Sequence, residues 1–335
     1  MMGLPNLPRK LPSRNWLIFW AITGTFTSAI IYDKREKNRA TARWRRAVAP
    51  LATEPIGAPN QLPRKLTIYL EAPPGDGLRA AQDHFIEYVK PVLSASGLDW
   101  EFVQGRMQGD VRAAVAEKIR RARREHERPG EELPETEETR LLELRKKMKL
   151  PDWEGVKGDI VVGRHTWKEY IRGLHEGWLG PLDAPPVPAV EPPPPPPAEG
   201  ENAAEEKKEE EKKPERPPQP VPHNKPEDYS SASLPPTIPA DFSPAANIPF
   251  PHRLGFRHTF VRLGWFLNRR KLADNIGRDV AAVCFAASRE WREADGQFEQ
   301  QLVLKHEEKD WPGSTWKDEK PDEDDEQKKP KPLAR

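Results

Sequence analysis

The hydrophobic pattern begins with an uncharged apolar run that extends from Trp16 to Tyr32 and has basic residues on both sides. As a helix the run would be about 25 Å long, close to the shortest length that crosses a bilayer core. Trp16, Trp20 and Tyr32 suit the headgroup level, with Ile31 as the last aliphatic residue. The pattern therefore predicts a transmembrane helix over residues 16–32. A buried core helix is the alternative, although such a helix usually carries a polar stripe.

The flanks of this run bear on its processing and orientation. Ile31 is followed by Tyr-Asp-Lys-Arg-Glu-Lys, whereas a signal-peptide cleavage site requires small residues, so we expect an uncleaved anchor. Basic residues are more numerous after the run than before it, and the positive-inside rule would place the C-terminal side inside. Alternatively, the second basic cluster contacts anionic lipid headgroups through Lys34, Arg35, Lys37, Arg43, Arg45 and Arg46.

Beyond residue 60 the pattern alternates between strand and helix. Short β-type runs are each followed by apolar residues at helical spacing, and Asp110 is the expected N-cap of the second helix. This repetition predicts a Rossmann-like parallel α/β domain, in which a ligand would lie at the loops that follow the strands. The predicted order is strand 66–70, helix 78–93, strand 98–103, helix 110–124, a charged stretch 125–149, strand 158–162, turn 163–166 and helix 167–174.

After residue 182 the pattern is lost. Residues 183–240 contain the proline run Pro192–Pro197 and Glu/Lys repeats, which bury too little apolar surface to fold. Residues 241–316 regain apolar content and predict a mainly helical segment that packs on the α/β domain, with a short strand at Gln301–Leu304 and core packing for Leu263–Phe266. One apolar helix face in it either packs on the chain's own domain or contacts another subunit, and it consists of Leu272, Ile276, Val280 and Val283.

Composition narrows the functional classes. The net charge of +1 gives no bias toward nucleic acid, and the arginines at 120, 121, 123 and 124 precede glutamates, which indicates a solvated, charge-paired helix. Cys284 is the single cysteine, so the chain has no intrachain disulfide and no CxxC metal site. The predicted segments are 1–15 (basic N-terminus), 16–32 (transmembrane helix), 33–60 (basic juxtamembrane segment), 61–182 (α/β domain), 183–240 (disordered linker), 241–316 (C-terminal helical segment) and 317–335 (charged disordered tail).

Two loops follow predicted strands and could hold phosphate. The first, Pro73–Gly77, lacks the residues of a Walker motif. In the second, the strand leads into Gly163, Arg164, His165 and Thr166, and the next helix carries Glu169, Gly173 and Leu174. This resembles the nucleotide loop of diacylglycerol and sphingosine kinases, where a Gly-Gly-Asp-Gly-Thr turn precedes a Glu-Val-x-Asn-Gly-Leu helix.

The resemblance departs from that family at the centre of the loop. Arg164 and His165 replace Gly-Asp-Gly, so the glycines that allow close approach to phosphate and the aspartate that would organise metal are absent. The resemblance implies a lipid-kinase-like fold without kinase chemistry, with no catalytic residue, cofactor or metal site. A membrane-tethered lipid kinase-like or nucleotide-binding protein with a degenerate phosphate loop is the alternative function.

Further motifs extend over the whole chain. RKLPSRNW occupies residues 9–16, IYDK 31–34, IPFPH 248–252 and FLNRR 266–270, before the helical residues 273–283. Over residues 8–316 the chain resembles the fungal Tim54 family of mitochondrial inner membrane translocase subunits. The resemblance implies a non-catalytic subunit of the carrier translocase that scaffolds the pore-forming subunit and small Tim chaperones for insertion of multi-spanning carriers.

The resemblance also implies a location. The family is single-pass in the mitochondrial inner membrane, with the N-terminus in the matrix and the main domain in the intermembrane space. This orientation is opposite to that given by the charge rule, and we prefer it because a matrix-directed import route can override that rule. The basic cluster after the span would then face the intermembrane space, where cardiolipin is the expected lipid partner. We expect no nucleic acid partner.

Overall fold

A parallel sheet of four strands lies at the centre of the part of the chain that the structure describes. The computed structural model describes residues 13–54, 62–129, 137–150, 153, 155–183, 220–224, 228, 231–239 and 242–287. The strand order is β2-β1-β3-β4, and Thr67 of β1 lies opposite Asp159 of β3. The predicted parallel α/β sheet is therefore confirmed. The strands are β1 (Lys65–Glu71), β2 (Asp99–Gly105), β3 (Asp159–Val162) and β4 (Ala245–Ile248).

Two layers of helices cover the sheet. Along β1, side chains alternate: Leu66, Ile68 and Leu70 face the layer that contains α1–α3 and α8, whereas Tyr69 faces α4 and α6. A single π-helical turn, Phe85–Val89, joins α2 to α3. The helices are α1 (Arg14–Val48), α2 (Leu78–His84), α3 (Lys90–Ser96), α4 (Asp110–Glu127), α5 (Glu137–Lys147), α6 (Arg164–Leu179), α7 (Thr259–Phe266) and α8 (Arg269–Cys284).

The second half of α1 belongs to the folded unit. Val48 is fully buried in the same core as Leu66 and Ile68. The Trp44 indole donates a hydrogen bond to Asp274 on α8 (2.7 Å). Asp33 is only 3% exposed and its carboxylate accepts the backbone N–H groups of Arg269 (3.2 Å) and Arg270 (3.3 Å). Residues 33–48, which the sequence assigns to a juxtamembrane segment, are therefore packed against α8.

The predicted transmembrane helix is wrong. Among the residues that the structure describes, no helix combines the length and the apolar character that a membrane crossing requires. α1 is long, but its uncharged part includes five polar or small residues, at positions 23, 24, 25, 27 and 28, and continues into charged residues from Asp33. Trp16, Trp20, Ile31 and Tyr32, which were expected at the ends of a span, are exposed side chains on α1. The single-pass orientation depended on this span and is not supported either.

Local structure differs from the pattern at three other points. The expected turn at residues 163–166 is the first turn of α6, which begins at Arg164 directly after the strand. Gly109, not Asp110, occupies the N-cap of α4, and the Asp110 carboxylate instead accepts the backbone N–H groups of Arg106 and Met107, both at 2.9 Å. α5 lies within the charged stretch, for which no helix was predicted.

The C-terminal part contains more than helices. β4 occurs within residues 241–316, and Leu263 and Phe266 are exposed, although core packing was predicted for them. Residues 220–224 of the expected linker contact the α4–α6 layer. The Arg112 guanidinium donates a hydrogen bond to the carbonyl of Pro220, and the His223 backbone N–H donates one to the Glu176 carboxylate. The strand predicted at 301–304, the tail at 317–335 and the proline run lie outside the described residues.

Candidate functional site

The sheet has a switch point between β1 and β3. The helices that follow β1 lie on one face and α6, which follows β3, lies on the other. In parallel sheets such a reversal opens a crevice at the carboxyl edge, which is the usual ligand position. This crevice is lined by Glu71, Pro73, Val162, Gly163, Arg164, His165, Thr166, Phe250 and His252.

The loop after β3 is held by its own hydrogen bonds. Gly163 has a φ of +94°, which favours glycine, and its N–H donates to the carbonyl of Ile248 on β4 (2.9 Å). The Thr166 hydroxyl donates to the carbonyl of Val162 (2.7 Å). The Arg164 Nε lies 3.3 Å from the His165 Nε2, so these side chains contact each other. Gly163 and Thr166, which match the kinase motif, thus hold the direct junction between β3 and α6.

The segment after β4 closes the crevice. Phe250 packs against Gly163, where an added Cβ would lie 3.4 Å from the ring, and Leu254 packs against Gly75. His252 Nε2 lies 2.6 Å from the carboxylate of Asp76 in the loop after β1. The remaining cavity is about 10 Å³, which is space for about one water molecule. A nucleotide does not fit the crevice in this conformation.

A buried histidine supports the closing segment. His84 on α2 contacts the carbonyl of Pro249 through Nε2 (3.1 Å), and its ring centroid lies 4.8 Å from that of Phe250. Burial lowers the pKa of His84 to about 4. The imidazole is therefore neutral near pH 7, and Nε2–H donates to the carbonyl.

Glu169 does not belong to the crevice. Its carboxylate accepts the backbone N–H of Arg112 (3.2 Å) at the start of α4, and burial raises the pKa of this group. The structure thus brings four residues of the degenerate loop together at the crevice and places the fifth between α4 and α6. Among the described residues, no group of three or more His, Cys, Asp or Glu side chains could hold a metal ion.

Buried arginines join α4 to α6. Glu176 is 2% exposed and pairs with both Arg112 and Arg120. Arg123 donates to the carbonyls of Gly177 (2.7 Å) and Gly180 (2.9 Å). The prediction of a solvated helix is wrong at these positions. Their spacing in the sequence could have indicated burial, because Arg112, Arg120 and Arg123 fall on one side of a helix together with the small residue Ala116.

The residues predicted to contact lipid headgroups fall into two groups. Lys37 pairs with Glu87 and lies over the Tyr88 ring (4.5 Å), and Arg43 pairs with Asp274, so both side chains bind within the chain. The other four are exposed on α1, and the headgroup contact stays a prediction for them: Lys34, Arg35, Arg45 and Arg46.

The apolar face of α8 is occupied within the chain. Ile276, Val280 and Val283 are buried in the core beside Leu66 and Ile68, and Leu272 packs against the same cluster. A face that contacts another subunit is therefore not what the structure shows, because α1, the sheet and α3 already cover it. These residues instead pack on the chain's own domain, which was the other interpretation of the sequence.

Comparisons with known proteins match a single family over most of the chain. The family model described as "Inner membrane protein import complex subunit Tim54" matches residues 1–334. A Neurospora crassa protein named mitochondrial import inner membrane translocase subunit tim54 is 57% identical over 97% of this chain and 74% of its own length. The protein of that name from Aspergillus oryzae is 42% identical over 96% and 81%, and the one from Schizosaccharomyces pombe 35% identical over 92% and 87%. The chain therefore belongs to the Tim54 family of mitochondrial inner membrane protein import subunits.

Proposed function

We propose that the chain is a non-catalytic scaffold of the carrier translocase, which holds the pore-forming subunit and receives small Tim chaperones during insertion of multi-spanning carriers. Membership of the Tim54 family supports a role as a translocase subunit. The closed crevice supports the non-catalytic part of the proposal, because Phe250 and His252 line the position where a kinase-like sheet would hold nucleotide and leave space for about one water molecule.

The first half of α1 offers a surface for another subunit. Its apolar side chains are exposed along the helix, among them Trp20 and Ile22. Exposed apolar surface of this extent is typical of a protein or membrane contact. The second half of the same helix is fixed to α8, so a partner bound to residues 16–32 would be held rigidly against the α/β domain.

The test is affinity purification of the tagged full chain from digitonin-solubilised mitochondria, with mass spectrometry of the native complex. We expect the pore-forming subunit and small Tim chaperones among the recovered proteins. Trp20→Ser/Ile22→Ser should lower recovery of the pore-forming subunit, whereas Leu141→Ser/Leu144→Ser, which removes two exposed leucines from α5, should not. Recovery of neither kind of partner by the wild-type chain would refute the proposal.

A binding assay tests the non-catalytic part separately. We expect titration calorimetry of the purified chain with Mg-ATP to give no binding heat, because the crevice lacks space for a nucleotide. Saturable binding that is weakened by Arg164→Ala would favour the nucleotide-binding alternative. The two experiments are independent, since a scaffold could be recovered with its partners whether or not it binds nucleotide.

A further inference from the structure

One long segment around α7 carries positive charge and no negative charge. Between Asp241 and Asp274 the sequence has no acidic residue. The same interval contains six basic residues, at positions 253, 257, 262, 269, 270 and 271, together with the aromatic residues at 242, 250, 256, 260, 265 and 266. The arginine-rich residues 118–128, by contrast, include the acidic residues Glu125 and Glu127. Like the acid-free residues 1–32, the segment is therefore both basic and aromatic.

The aromatic and aliphatic side chains of this segment face solvent. Phe256 is 91% exposed and Phe260 is 84% exposed, and no residue of α7 is buried. Leu254, Val261, Leu263 and Phe266 are exposed as well. Arg257 and Arg262 are exposed beside them. Such a patch has no role in the core, so its apolar side chains are available to an external surface.

The patch is nevertheless held in place. The Arg253 guanidinium lies 5.9 Å from the Trp265 ring centroid and that of Arg269 lies 4.7 Å from the Phe266 ring. The Asn268 side chain donates to the carbonyl of Gly264 (2.9 Å), which ends α7. Directly after it, Asp33 binds the first backbone N–H groups of α8. The exposed residues are thus presented on a fixed support.

The helix that follows the patch, α8, contacts the end of the uncharged part of α1. The Arg270 guanidinium is 5.4 Å from the ring of Tyr32, the residue at which the uncharged run of α1 ends. Basic side chains therefore accompany both apolar surfaces: Arg257 and Arg262 lie within the patch, and Arg270 contacts the end of the α1 run. Helices with Phe, Trp and Leu together with Lys and Arg bind in the headgroup region of anionic bilayers. An acidic protein would satisfy the charges but would not require phenylalanines that project into solvent.

We propose that α7 and the turn before it, residues 254–266, form an interfacial contact with an anionic lipid surface. Phe256 and Phe260 enter the boundary between headgroups and acyl chains, while Arg257 and Arg262 bind lipid phosphates. The site differs from the basic cluster of α1, and it requires no pore-forming subunit or chaperone, so it can be tested independently of the scaffold function.

The test uses the full chain with a fluorescent NBD label on Val261→Cys, which keeps both phenylalanines. Cys284, the single native thiol, is buried, so the label reports on α7. The protein is reconstituted in nanodiscs of phosphatidylcholine, with or without cardiolipin, and quenching by doxyl-labelled lipid measures contact with the bilayer. We expect strong quenching in cardiolipin discs and weak quenching in neutral discs.

Variants separate the charged from the apolar contribution. In cardiolipin discs, replacing Arg257 or Arg262 by glutamine should lower the ratio of lipid-bound to free α7 about 5-fold for each arginine. Phe256→Ser/Phe260→Ser should abolish the quenching, while the matched pair Leu141→Ser/Leu144→Ser on α5 leaves it unchanged. Circular dichroism checks that each variant is folded, which is expected because the replaced side chains are exposed.

Three results would overturn the proposal. The label could stay in water on cardiolipin discs, or quenching could be equal in the two lipid compositions. Alternatively, the label could become protected only when another translocase subunit is added to neutral discs, which would assign the patch to a protein partner.

Discussion

Asp33 links two helices through backbone donors that are 236 positions away. α8 has Asn268 at its N-cap position, and that side chain makes no capping hydrogen bond. The carboxylate of Asp33 supplies the missing acceptor from α1 and also binds the Arg270 guanidinium (3.2 Å). A negative charge at this end complements the helix dipole as well. One side chain therefore both caps α8 and fixes α1 against it.

Removing this carboxylate should destabilise the protein. We expect Asp33→Ala to lower the free energy of unfolding by at least about 1–2 kcal/mol, the usual effect of losing a cap, since it also leaves Arg270 without its partner. Urea denaturation measures the change. Asp83→Ala, which removes an exposed carboxylate on α2 paired with Arg79, serves as control and should change stability by less than about 0.5 kcal/mol. Equal effects of both variants would contradict the capping role.

His84 gives the stability a pH dependence. Its pKa falls from the ordinary 6.5 to about 4 on burial, so between these values the unfolded chain binds a proton that the folded chain does not. The contribution of neutral His84 to the free energy of unfolding is complete above pH 6.5 and is lost as the pH falls toward 4. The slope of the free energy of unfolding against pH is at most about 1.4 kcal/mol per pH unit. His84→Gln keeps a donor for Pro249 and should make the measured slope shallower. The exposed His126→Gln should leave it unchanged.

At the scale of elements, periodicity predicted most of the sheet and its helices. The alternation of β1 and the helical spacing after each strand were enough to place β1–β3, α2–α4 and α6. β4 was missed because Ala245–Ile248 is short and has one β-branched residue, so its conformation depends on pairing with β3. The start of α6 was missed because the positive φ of Gly163 lets the helix begin without a separate turn. The packing of Phe250 against Gly163 left no signal in local sequence.

The α4–α6 contact depends on small residues. A Cβ on Gly173 would lie 2.7 Å from the carbonyl oxygen of Arg112 and from Val115 Cβ, so the helices would have to separate. We expect Gly173→Ala to destabilise the protein by about 1–3 kcal/mol, although alanine favours helix. Gly24→Ala on α1, where nothing lies within 4 Å, should be neutral or stabilising by up to about 1 kcal/mol. Thermal unfolding of the two variants compares them directly.

At the scale of the whole molecule, the first and last described helices form one layer. Local sequence could not predict this layer, because the contacts of Asp33 and Trp44 with α8 join residues more than 200 positions apart. For the same reason the uncharged run was interpreted as an independent membrane element, whereas the helix that contains it continues into the core at Val48. The kinase-like loop was likewise interpreted from a local motif alone, whereas its surroundings include β4 and Phe250 from a distant part of the chain.

Hydrogen exchange should reveal this single layer. We expect the amide protons of residues 40–48 to exchange at the same slow rate as those of 276–283, because both are released only when the shared core opens. Residues 259–266 of α7, which bury no side chain, should exchange much faster. The measurement is made on the full chain by mass spectrometry. Fast exchange of residues 40–48 alone would indicate that α1 detaches while the sheet stays folded.

The capping of α8 by Asp33 has a consequence for the time course of synthesis. At about 5–20 residues per second, the ribosome needs about 10–50 s to add the 236 residues that separate Asp33 from Arg269. During this interval α1 lacks the helix that covers Trp44 and Val48, and β3 lacks its outer neighbour. The nascent chain therefore cannot complete its core from the N-terminus onward. It remains open until almost the last of the residues that the structure describes has been made.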